Sequence, residues 1–334
     1  MNQENSLQTN LEYQAEMFSN RLKKRKKHLW KWARRNGISC FRVYSRDIPE
    51  VPWVVDMYDN NVHIAEYERP TPHSDEEHSE WQKVMLEAAA NALTVPRDRV
   101  FFKYREKPDS GSQYEKVDSR THMITVREGD LSFQVNLSDY IDTGLFLDHR
   151  MTREFIRTLS QGRNVLNLYS YTASFSVYAA SGGALSTVSV DLSNTYSAWA
   201  RQNLRLNGFL EPAHTIVTED VGRFLDQAAK QGRRFDIIVL DPPTFSNSKK
   251  TEGVLDIQKD HVTLINSCLD LLTADGIVMF STNFKKIKFE AERIHSRSIE
   301  EITERTIPED FLGRKPHRAW VIQGSSKRSH HGKR

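Results

Sequence analysis

Residues 164–191 read NVLNLYSYTASFSVYAASGGALSTVSVD: an apolar run, a stretch of small residues and a second apolar run. Short apolar runs bounded by Ser, Asn and Gly predict buried strands. The small-residue stretch between them is long enough for a helix, so the two strands are predicted to be parallel. This strand–helix–strand unit sets the fold class of everything that follows it.

The same alternation continues to about residue 282. Strands are predicted at HTIVTED, FDIIVLDPP and IVMFSTN, and helices at WARQNLRLN, VGRFLDQAAKQG and LINSCLDLLTADG, the first of them capped by Ser193. About 120 residues of alternating strands and helices predict an α/β fold, a doubly wound Rossmann-like sheet over residues 141–334. SIEEITERT and RAWVIQ predict a terminal antiparallel pair.

Residues 1–140 have a different pattern. The first 20 or so residues are polar and lead into a helix that is predicted to end near Gly37. The apolar residues at helical spacing are Leu11, Ala15, Phe18, Leu22, Leu29 and Ala33. Ser74 is suited to cap a second helix, and the runs SCFRVYS, PWVVDMYD, VHIAEYE, RVFFKYRE, HMITVRE and LSFQVNL predict strands. We expect a smaller N-terminal α+β domain, a basic helix with an antiparallel sheet.

Positive charge is concentrated in residues 21–46. Eleven Lys and Arg occur there without one acid, whereas the rest of the chain holds 36 basic and 44 acidic residues. Such a run is often only a solvated helix face, but eleven unopposed cations favour a polyanionic partner. Trp30, Trp32, Phe41 and Tyr44 lie among them and suggest stacking on bases, so we predict RNA binding. The predicted RNA-binding residues are Arg21, Lys23, Lys24, Arg25, Lys26, Lys27, Lys31, Arg34 and Arg35, and the tail SSKRSHHGKR adds four further cations.

The composition excludes several classes of protein. With 38% hydrophobic and 27% charged residues the chain is of globular type, and no apolar run is long enough to span a membrane. The polar start MNQENSLQTN predicts no signal peptide. The two cysteines, Cys40 and Cys268, are too few for a disulfide scaffold or a cysteine zinc site. We expect a cytoplasmic protein that uses no metal.

Acids stand at the ends of successive predicted strands. Asp191 follows the second strand, Asp220 the third and Asp241 the fourth. An acid after the second strand suits a ribose diol. The first turn has no glycine between Gly162 and Gly182, hence no G-x-G-x-x-G, and this disfavours a diphosphate ligand. Helix capping is the plainer explanation for any one of these acids, but three together favour a nucleoside site.

The most specific motif is DPPTF, residues 241–245. Asp241, Pro242 and Pro243 form a rigid segment that offers acceptors and lacks backbone donors at the prolines, and Phe245 is suited to stack on a planar base. A Pro-Pro pair after a buried strand is often only a chain stop. The aromatic residue at this offset favours a base-binding slot instead.

Several long motifs together resemble one family. DPPTFSNSK, TGLFLDHR, NLYSYTASFSVYAASGGA, VDLSNTYSAWARQNLRLNG and NRLKKRKKHLWKWAR are similar to the RlmK-like, N7-guanine methyltransferase half of bifunctional 23S ribosomal RNA guanine methyltransferases, from about residue 11 to residue 324. The resemblance implies a class I methyltransferase sheet, S-adenosylmethionine as cofactor, and 23S ribosomal RNA or a large-subunit assembly intermediate as partner. It also implies a separate N2-guanine methyltransferase, since that half is absent from this chain.

The resemblance further implies roles for individual residues. Asp191 would bind the ribose hydroxyls, Asp220 the adenine amino group, and Val221 would pack near the adenine. Arg150 would bind the cofactor carboxylate. An ordinary polar helix start is an equally good explanation of this arginine. The slot at residues 241–245 would hold the target base. The methionine part would be lined by Asn167, Tyr169, Ser170, Thr172, Ala173 and Ser174; Ala173 stands where such enzymes often have glycine.

Guanine N7 has an in-plane lone pair and no proton, so in-line methyl transfer to it needs positioning and no general base. C5-methylation of cytosine needs a cysteine nucleophile, and neither DPPTFS nor STNF contains one. N6-methylation of adenine stays open because its motif is similar. A non-catalytic ribosomal RNA-binding assembly protein is the alternative from another class, which the three intact acids disfavour.

Overall fold

A computed structural model describes residues 2–67, 74–105, 122–209, 211–246 and 255–324. The polar loop predicted after the strand RVFFKYRE, the last residues of DPPTFSNSK and the basic tail lie outside the described residues. The chain forms two units, one of Met1–Asp130 and Val135–Thr143, the other of Leu131–Gln134 and Gly144–Arg334. None of the described helices is both long and apolar enough to cross a bilayer.

The first unit contains two helices and a four-stranded sheet. The sheet order is β1-β2-β3-β4, and its inner face packs on the helices around Phe18, Leu22 and Trp53. Its elements are α1 (Asn2–Arg35), β1 (Cys40–Ser45), β2 (Trp53–Tyr58), β3 (Asn61–Tyr67), α2 (Asp75–Leu93), β4 (Val100–Arg105) and β5 (Met123–Glu128).

One prediction for this unit was wrong in part. The sheet is not wholly antiparallel, because β3 and β4 pair in parallel. The 19-residue α2 lies between them and returns the chain to the starting end of the sheet, which a parallel pair requires. The predicted first helix is present as α1, which begins at Asn2, ahead of Leu11, the first apolar residue of the predicted spacing. The predicted cap is confirmed: Ser74 Oγ accepts from Glu77 N, and Glu77 accepts from Ser74 N.

The second unit is a seven-stranded sheet with helices on both faces. Strand β6 (Leu131–Asn136) spans the division between the units. The elements of the second unit that come after it are α3 (Arg150–Leu159), β7 (Asn164–Leu168), α4 (Ser174–Ser181), β8 (Ser186–Asp191), α5 (Asn194–Leu206), β9 (His214–Thr218), α6 (Val221–Lys230), β10 (Phe235–Leu240), β11 (Phe245–Ser246), β12 (Leu255–Asp256), α7 (Ile257–Leu269), β13 (Leu272–Thr282), β14 (Ser296–Glu301), α8 (Thr303–Thr306) and β15 (Arg318–Gly324).

The strand order confirms the doubly wound prediction. The order is β14-β15-β13-β10-β7-β8-β9, with β7, β8, β9, β10 and β13 parallel. The predicted terminal antiparallel pair is also present, as β14 and β15. The small β11–β12 pair was not predicted, because two-residue strands leave no periodicity to detect.

The topology locates the ligand site. From β7 the chain adds β8 and β9 on one side and then crosses to β10 and β13 on the other, so the order reverses between β7 and β10. Leu168 and Leu240, the last residues of these two strands, are in register. The residues that follow them, Tyr169 and Asp241, therefore begin at the switch point, where doubly wound sheets bind ligands.

Candidate active site

The turn from β7 to α4 has an unusual backbone. Tyr169, Tyr171 and Ala173 have φ of 53°, 51° and 60°, in the left-handed region that glycine adopts without cost. Each such residue costs about 1–2 kcal/mol. The turn is held by hydrogen bonds from Tyr171 N to Asp191 (2.9 Å) and from Asn203 Nδ2 to the Thr172 carbonyl oxygen (3.0 Å). Its shape is thus fixed by its neighbours, without glycine.

Two residues predicted to line the cofactor have side chains committed elsewhere. Asn167 donates to Ser176 Oγ at 3.0 Å, and Thr172 donates to the Gly144 carbonyl oxygen at 2.6 Å. Both are buried. Gly144 in turn has φ of +98°, and an added Cβ would lie 2.2 Å from the Trp199 ring. The side chains of Asn167 and Thr172 therefore shape the turn from inside, and their predicted lining of the cofactor stays a prediction.

Ser170 fits the predicted cofactor site. Its side chain is 6% exposed, and its Oγ has no hydrogen-bond partner among the described residues. A buried hydroxyl without a partner is costly unless a ligand satisfies it. Tyr169 is half-buried beside it, and Ser174 begins α4. The Ser170 hydroxyl is thus an unsatisfied polar group at the switch point.

Asp191 is a half-buried carboxylate that is held in place. Its two oxygens accept from Tyr171 N and Ser193 N, each at 2.9 Å. Burial raises the pKa of Asp191 to about 6, against the opposing effect of these two backbone donors. A carboxylate so poorly solvated gains from further donors such as ribose hydroxyls.

Asp220 and Val221 have structural roles at the start of α6. Asp220 Oδ1 caps the helix by accepting from Arg223 N at 3.0 Å, and Val221 packs in the core. In the described part of the chain, Asp220 Oδ2 has no hydrogen-bond partner. Burial, then the charge of Asp220, raises the pKa of Tyr169 well above its usual value, so this acid lies close to the switch point.

The structure gives Arg150 a partner within the protein, and its predicted binding of the cofactor carboxylate stays a prediction. Arg150 begins α3, as the plainer reading of FLDHR predicts, and its Nη1 lies 2.7 Å from Asp310 Oδ1. The side chains are 6% and 0% exposed. A buried ion pair of this kind holds α3 to the turn at residues 309–311, which is a structural role for the guanidinium.

The DPPTF segment, the predicted slot, has one acid held by a hydrogen bond and one exposed ring. Ser281 donates to Asp241 Oδ1 at 2.6 Å, and Thr244 donates to Asn283 Oδ1 at 2.5 Å. Pro242 is buried and Pro243 half-buried. Phe245, in contrast, is 59% exposed. An exposed ring next to an oriented carboxylate is what base stacking with edge recognition requires.

His149 approaches Asp241 from the other side. Its Nε2 lies 3.6 Å from Asp241 Oδ2 and 3.9 Å from Asp148 Oδ2, and its ring stacks on His317 at 4.4 Å with a 17° interplanar angle. His317 Nδ1 is 3.1 Å from Asp148 Oδ2. Asp148, His149 and His317 have the donor types of a metal site, with ligand atoms within 4.8 Å of one another.

The ring geometry argues against a metal here. Metal–nitrogen bonds of about 2.0–2.1 Å form along the in-plane lone pairs of imidazole. Near-parallel stacked rings direct those lone pairs side by side, so they cannot converge on one ion. We interpret the three side chains as a hydrogen-bonded cluster behind the slot.

Sequence reasoning placed Ser281 at the end of the fifth strand but gave it no role, and it missed His149 and His317. Ser281 was detectable, because the last residues of β13 neighbour the end of β10. His317 left no local signal, since its partner Asp148 is 169 residues away.

Some cations of the basic helix α1 make contacts within the protein, and the others are exposed to solvent. Arg21 pairs with Asp47 (2.6 Å), Lys26 donates to the Leu93 carbonyl oxygen, and burial lowers the pKa of Lys26. Arg25 is half-buried. Arg42, beyond the helix, pairs with Asp56 at 2.7 Å. The exposed cations of α1 are Lys23, Lys24, Lys27, Lys31, Arg34 and Arg35.

Base stacking by the neighbouring aromatics was mostly a wrong expectation. Phe41 and Tyr44 are 1% exposed in the core of the first unit, and Trp32 is half-buried. They pack there because α1 covers one face of the sheet. Trp30, 39% exposed, is the aromatic of this set that remains accessible.

Both cysteines are buried free thiols. Cys40 lies in β1 of the first unit, and Cys268 in α7 of the second. Burial raises the pKa of Cys268, which opposes thiolate formation. Neither is placed to attack a base in the slot.

The sequence matches a family model described as S-adenosylmethionine-dependent methyltransferase over residues 46–304. It is 45% identical over 309 residues to ribosomal RNA large subunit methyltransferase K of Neisseria meningitidis serogroup B, covering 92% of this chain and 87% of that protein. It is 43% identical to ribosomal RNA large subunit methyltransferase K/L of Methylococcus capsulatus, covering 92% of this chain but only 42% of that protein.

Solved structures share the fold. SMU.776, described as a methyltransferase complexed with SAH, superposes with a TM-score of 0.74 at 23% identity, over 92% of this chain and 81% of that one. A SAM-dependent methyltransferase from Streptococcus mutans superposes with a TM-score of 0.72 at 22% identity over the same shares of the two chains.

Proposed function

Because the chain belongs to the family of S-adenosylmethionine-dependent methyltransferases, we propose that it methylates N7 of a guanine in large-subunit, 23S ribosomal RNA by direct in-line transfer. The observation behind the choice of N7 is the slot itself. Asp241 is an oriented acceptor, and both cysteines are buried, so the slot has no thiol of the kind that C5-methylation of cytosine requires. The ribosomal RNA substrate is supported by the similarity to the two large-subunit methyltransferases.

S-adenosylmethionine supplies a methyl group on a positively charged sulfur. The residues suited to hold it line the switch point: Asp191 for the ribose hydroxyls, Asp220 Oδ2 for an amino group, and the Ser170 hydroxyl with the backbone of residues 169–174 for the amino-acid part. The buried Ser170 Oγ and the poorly solvated Asp191 both gain a partner when such a molecule binds. The glycine-free turn suits a ligand without a diphosphate.

The acceptor side needs orientation and charge stabilisation. The N7 lone pair must point along the transfer axis, so the ring plane has to be fixed, and the exposed Phe245 ring is suited to stack on it. Methylation leaves a positive charge on the guanine ring. Asp241, held at Oδ1 by Ser281, is a preorganised negative charge beside it, and this favours the transition state over the neutral substrate.

The first unit is suited to bind the RNA. Six exposed cations on α1 form a positive face, and Trp30 adds one accessible ring. Naked RNA and a large-subunit assembly intermediate present the same phosphates to such a face. The separate N2-guanine methyltransferase partner, the absence of a metal and the cytoplasmic location stay predictions.

The test is methyl transfer to ribosomal RNA with labelled cofactor. Nucleoside mass spectrometry of the product distinguishes 7-methylguanosine from N6-methyladenosine and 5-methylcytidine. Asp241→Ala should abolish transfer while the cofactor dissociation constant, measured by calorimetry, changes only a few fold. Asp275→Ala is the matched control, since it removes an exposed acid at the opposite end of β13. Retained transfer in Asp241→Ala refutes the slot. If the wild-type protein does not bind the cofactor in calorimetry, this would support the non-catalytic assembly role instead.

A further inference from the structure

The contact between His149 and Asp241 has no assigned role in the reaction proposed above. His149 is 5% exposed, and its ring orientation is fixed by the stack on His317 and by an edge contact with Phe175 at 5.7 Å. A ring held on two sides cannot rotate freely. Its Nε2 is therefore kept facing the slot acid.

Hydrogen-bond accounting determines where His149 carries its proton. A neutral imidazole has one N–H and one lone pair. Nε2 faces carboxylate oxygens of Asp241 and Asp148, whereas Nδ1 is buried and has no partner among the residues that the structure describes. A proton on Nδ1 would leave a buried donor unsatisfied and turn a lone pair towards two carboxylates. The stable neutral form has its proton on Nε2.

We propose that His149 is a positioning residue: its neutral imidazole, protonated on Nε2, donates to Asp241 Oδ2 and, with Ser281 on Oδ1, fixes the carboxylate that faces the target base. The proposal rests on the proposed function of Asp241. The present 3.6 Å separation is longer than a hydrogen bond, as contacts at reaction centres commonly are until substrate binds.

The neutral state of His149 is supported by its surroundings. Burial lowers the pKa of His149; Asp241 and Asp148 oppose this, while His317 and Arg153 act in the same direction as burial. A cationic His149 would cancel the charge of Asp241 at the moment when positive charge develops on the base. Turnover should therefore decrease at acidic pH, although attack by N7 itself requires no deprotonated base.

Two substitutions separate the nitrogens of the ring. His149→Gln places an amide N–H near the position of Nε2, and His149→Asn places one near Nδ1. We expect His149→Gln to retain kcat within a few fold, without the acidic decrease that His149 causes. His149→Asn should lower kcat by about tenfold or more, as a misplaced group does. The KM for cofactor should change little in either. Measurements at saturating cofactor exclude effects of pH on cofactor binding, and thermal melts confirm folding.

A second readout does not depend on activity. Long-range ¹H–¹⁵N spectra of histidine-labelled protein, with His149 assigned from His149→Gln, report which nitrogen is protonated. We expect Nε2–H near neutral pH and a shift of the His149 signals in Asp241→Asn. A proton on Nδ1, insensitivity to Asp241→Asn, or equal kcat of the Gln and Asn variants would each overturn the proposal. If wild-type protein transfers no methyl group to ribosomal RNA, the proposed function fails, and the spectra alone then decide whether His149 holds Asp241.

Discussion

Arg150→Ala tests whether this residue serves the stability of the fold or the binding of the cofactor. The substitution leaves Asp310 as a buried carboxylate, 0% exposed, without its guanidinium partner at 2.7 Å. Breaking a buried pair from one side costs about 3–5 kcal/mol. For a unit of about 200 residues, each kcal/mol lowers Tm by about 2–4 °C. We therefore expect Tm to decrease by roughly 6–20 °C, as measured by circular dichroism.

The double variant Arg150→Met with Asp310→Leu separates stability from cofactor binding. Buried ion pairs are often replaced by apolar residues of similar volume without loss, so most of the lost stability should return, to within about 2 kcal/mol of wild type. Calorimetry should then give a cofactor dissociation constant close to that of the wild-type protein. A double variant that is stable but binds cofactor more than about tenfold more weakly, a loss of about 1.4 kcal/mol, would refute the reasoning and return Arg150 to the cofactor carboxylate.

Three further predictions follow from the site and the basic helix. Cofactor affinity should decrease as pH falls through about 6, the pKa to which burial raises Asp191, becoming about tenfold weaker near pH 5 because protonation removes an acceptor; calorimetry showing a constant affinity from pH 8 to pH 5 would contradict this. Replacing four exposed lysines with Glu should reduce the slope of log K for RNA binding against log salt concentration by roughly 3, about 0.7 per lost phosphate contact. A control variant with Glu at Lys230 and Arg234 should keep the wild-type slope. The four are Lys23, Lys24, Lys27 and Lys31. Replacing Cys40 and Cys268 with Ala should leave methyl transfer intact, and a folded, cofactor-binding but inactive variant would favour a covalent cysteine mechanism.

Features encoded in neighbouring residues were predictable from the sequence. The helix caps at Ser74 and Ser193 are present, because a cap needs only a side-chain oxygen and a backbone N–H three residues later. The buried strands were predicted because parallel strands covered on both faces are continuous apolar runs. The position of Asp191 and Asp241 followed from strand order alone, since parallel strands end at one edge of the sheet.

Features that depend on distant partners were not predictable. Arg150 has a partner 160 residues away, and a motif of eight residues cannot show whether its arginine binds a ligand or another part of the chain. Phe41 and Tyr44 looked accessible because they lie among cations, yet α1 covers them. The parallel pairing of β3 and β4 depends on the path of α2, and a pattern of apolar residues in two separate strands contains no information about their relative direction.

The position of β15 has a consequence for the order in which the protein is made. In the sheet, β15 lies between β13 and β14, although it is the last of the three to be synthesised. Until it emerges, β13 presents an open edge on the side that β15 later covers, and β14 has no strand to pair with. Asp310 and His317, the partners of Arg150 and Asp148, are also made at this late stage. A growing chain therefore contains the sequence motifs of the site before the strand and the partner residues that complete it. A nascent protein that stalls at this stage has an incomplete site and an exposed sheet edge, which is prone to pair with other chains.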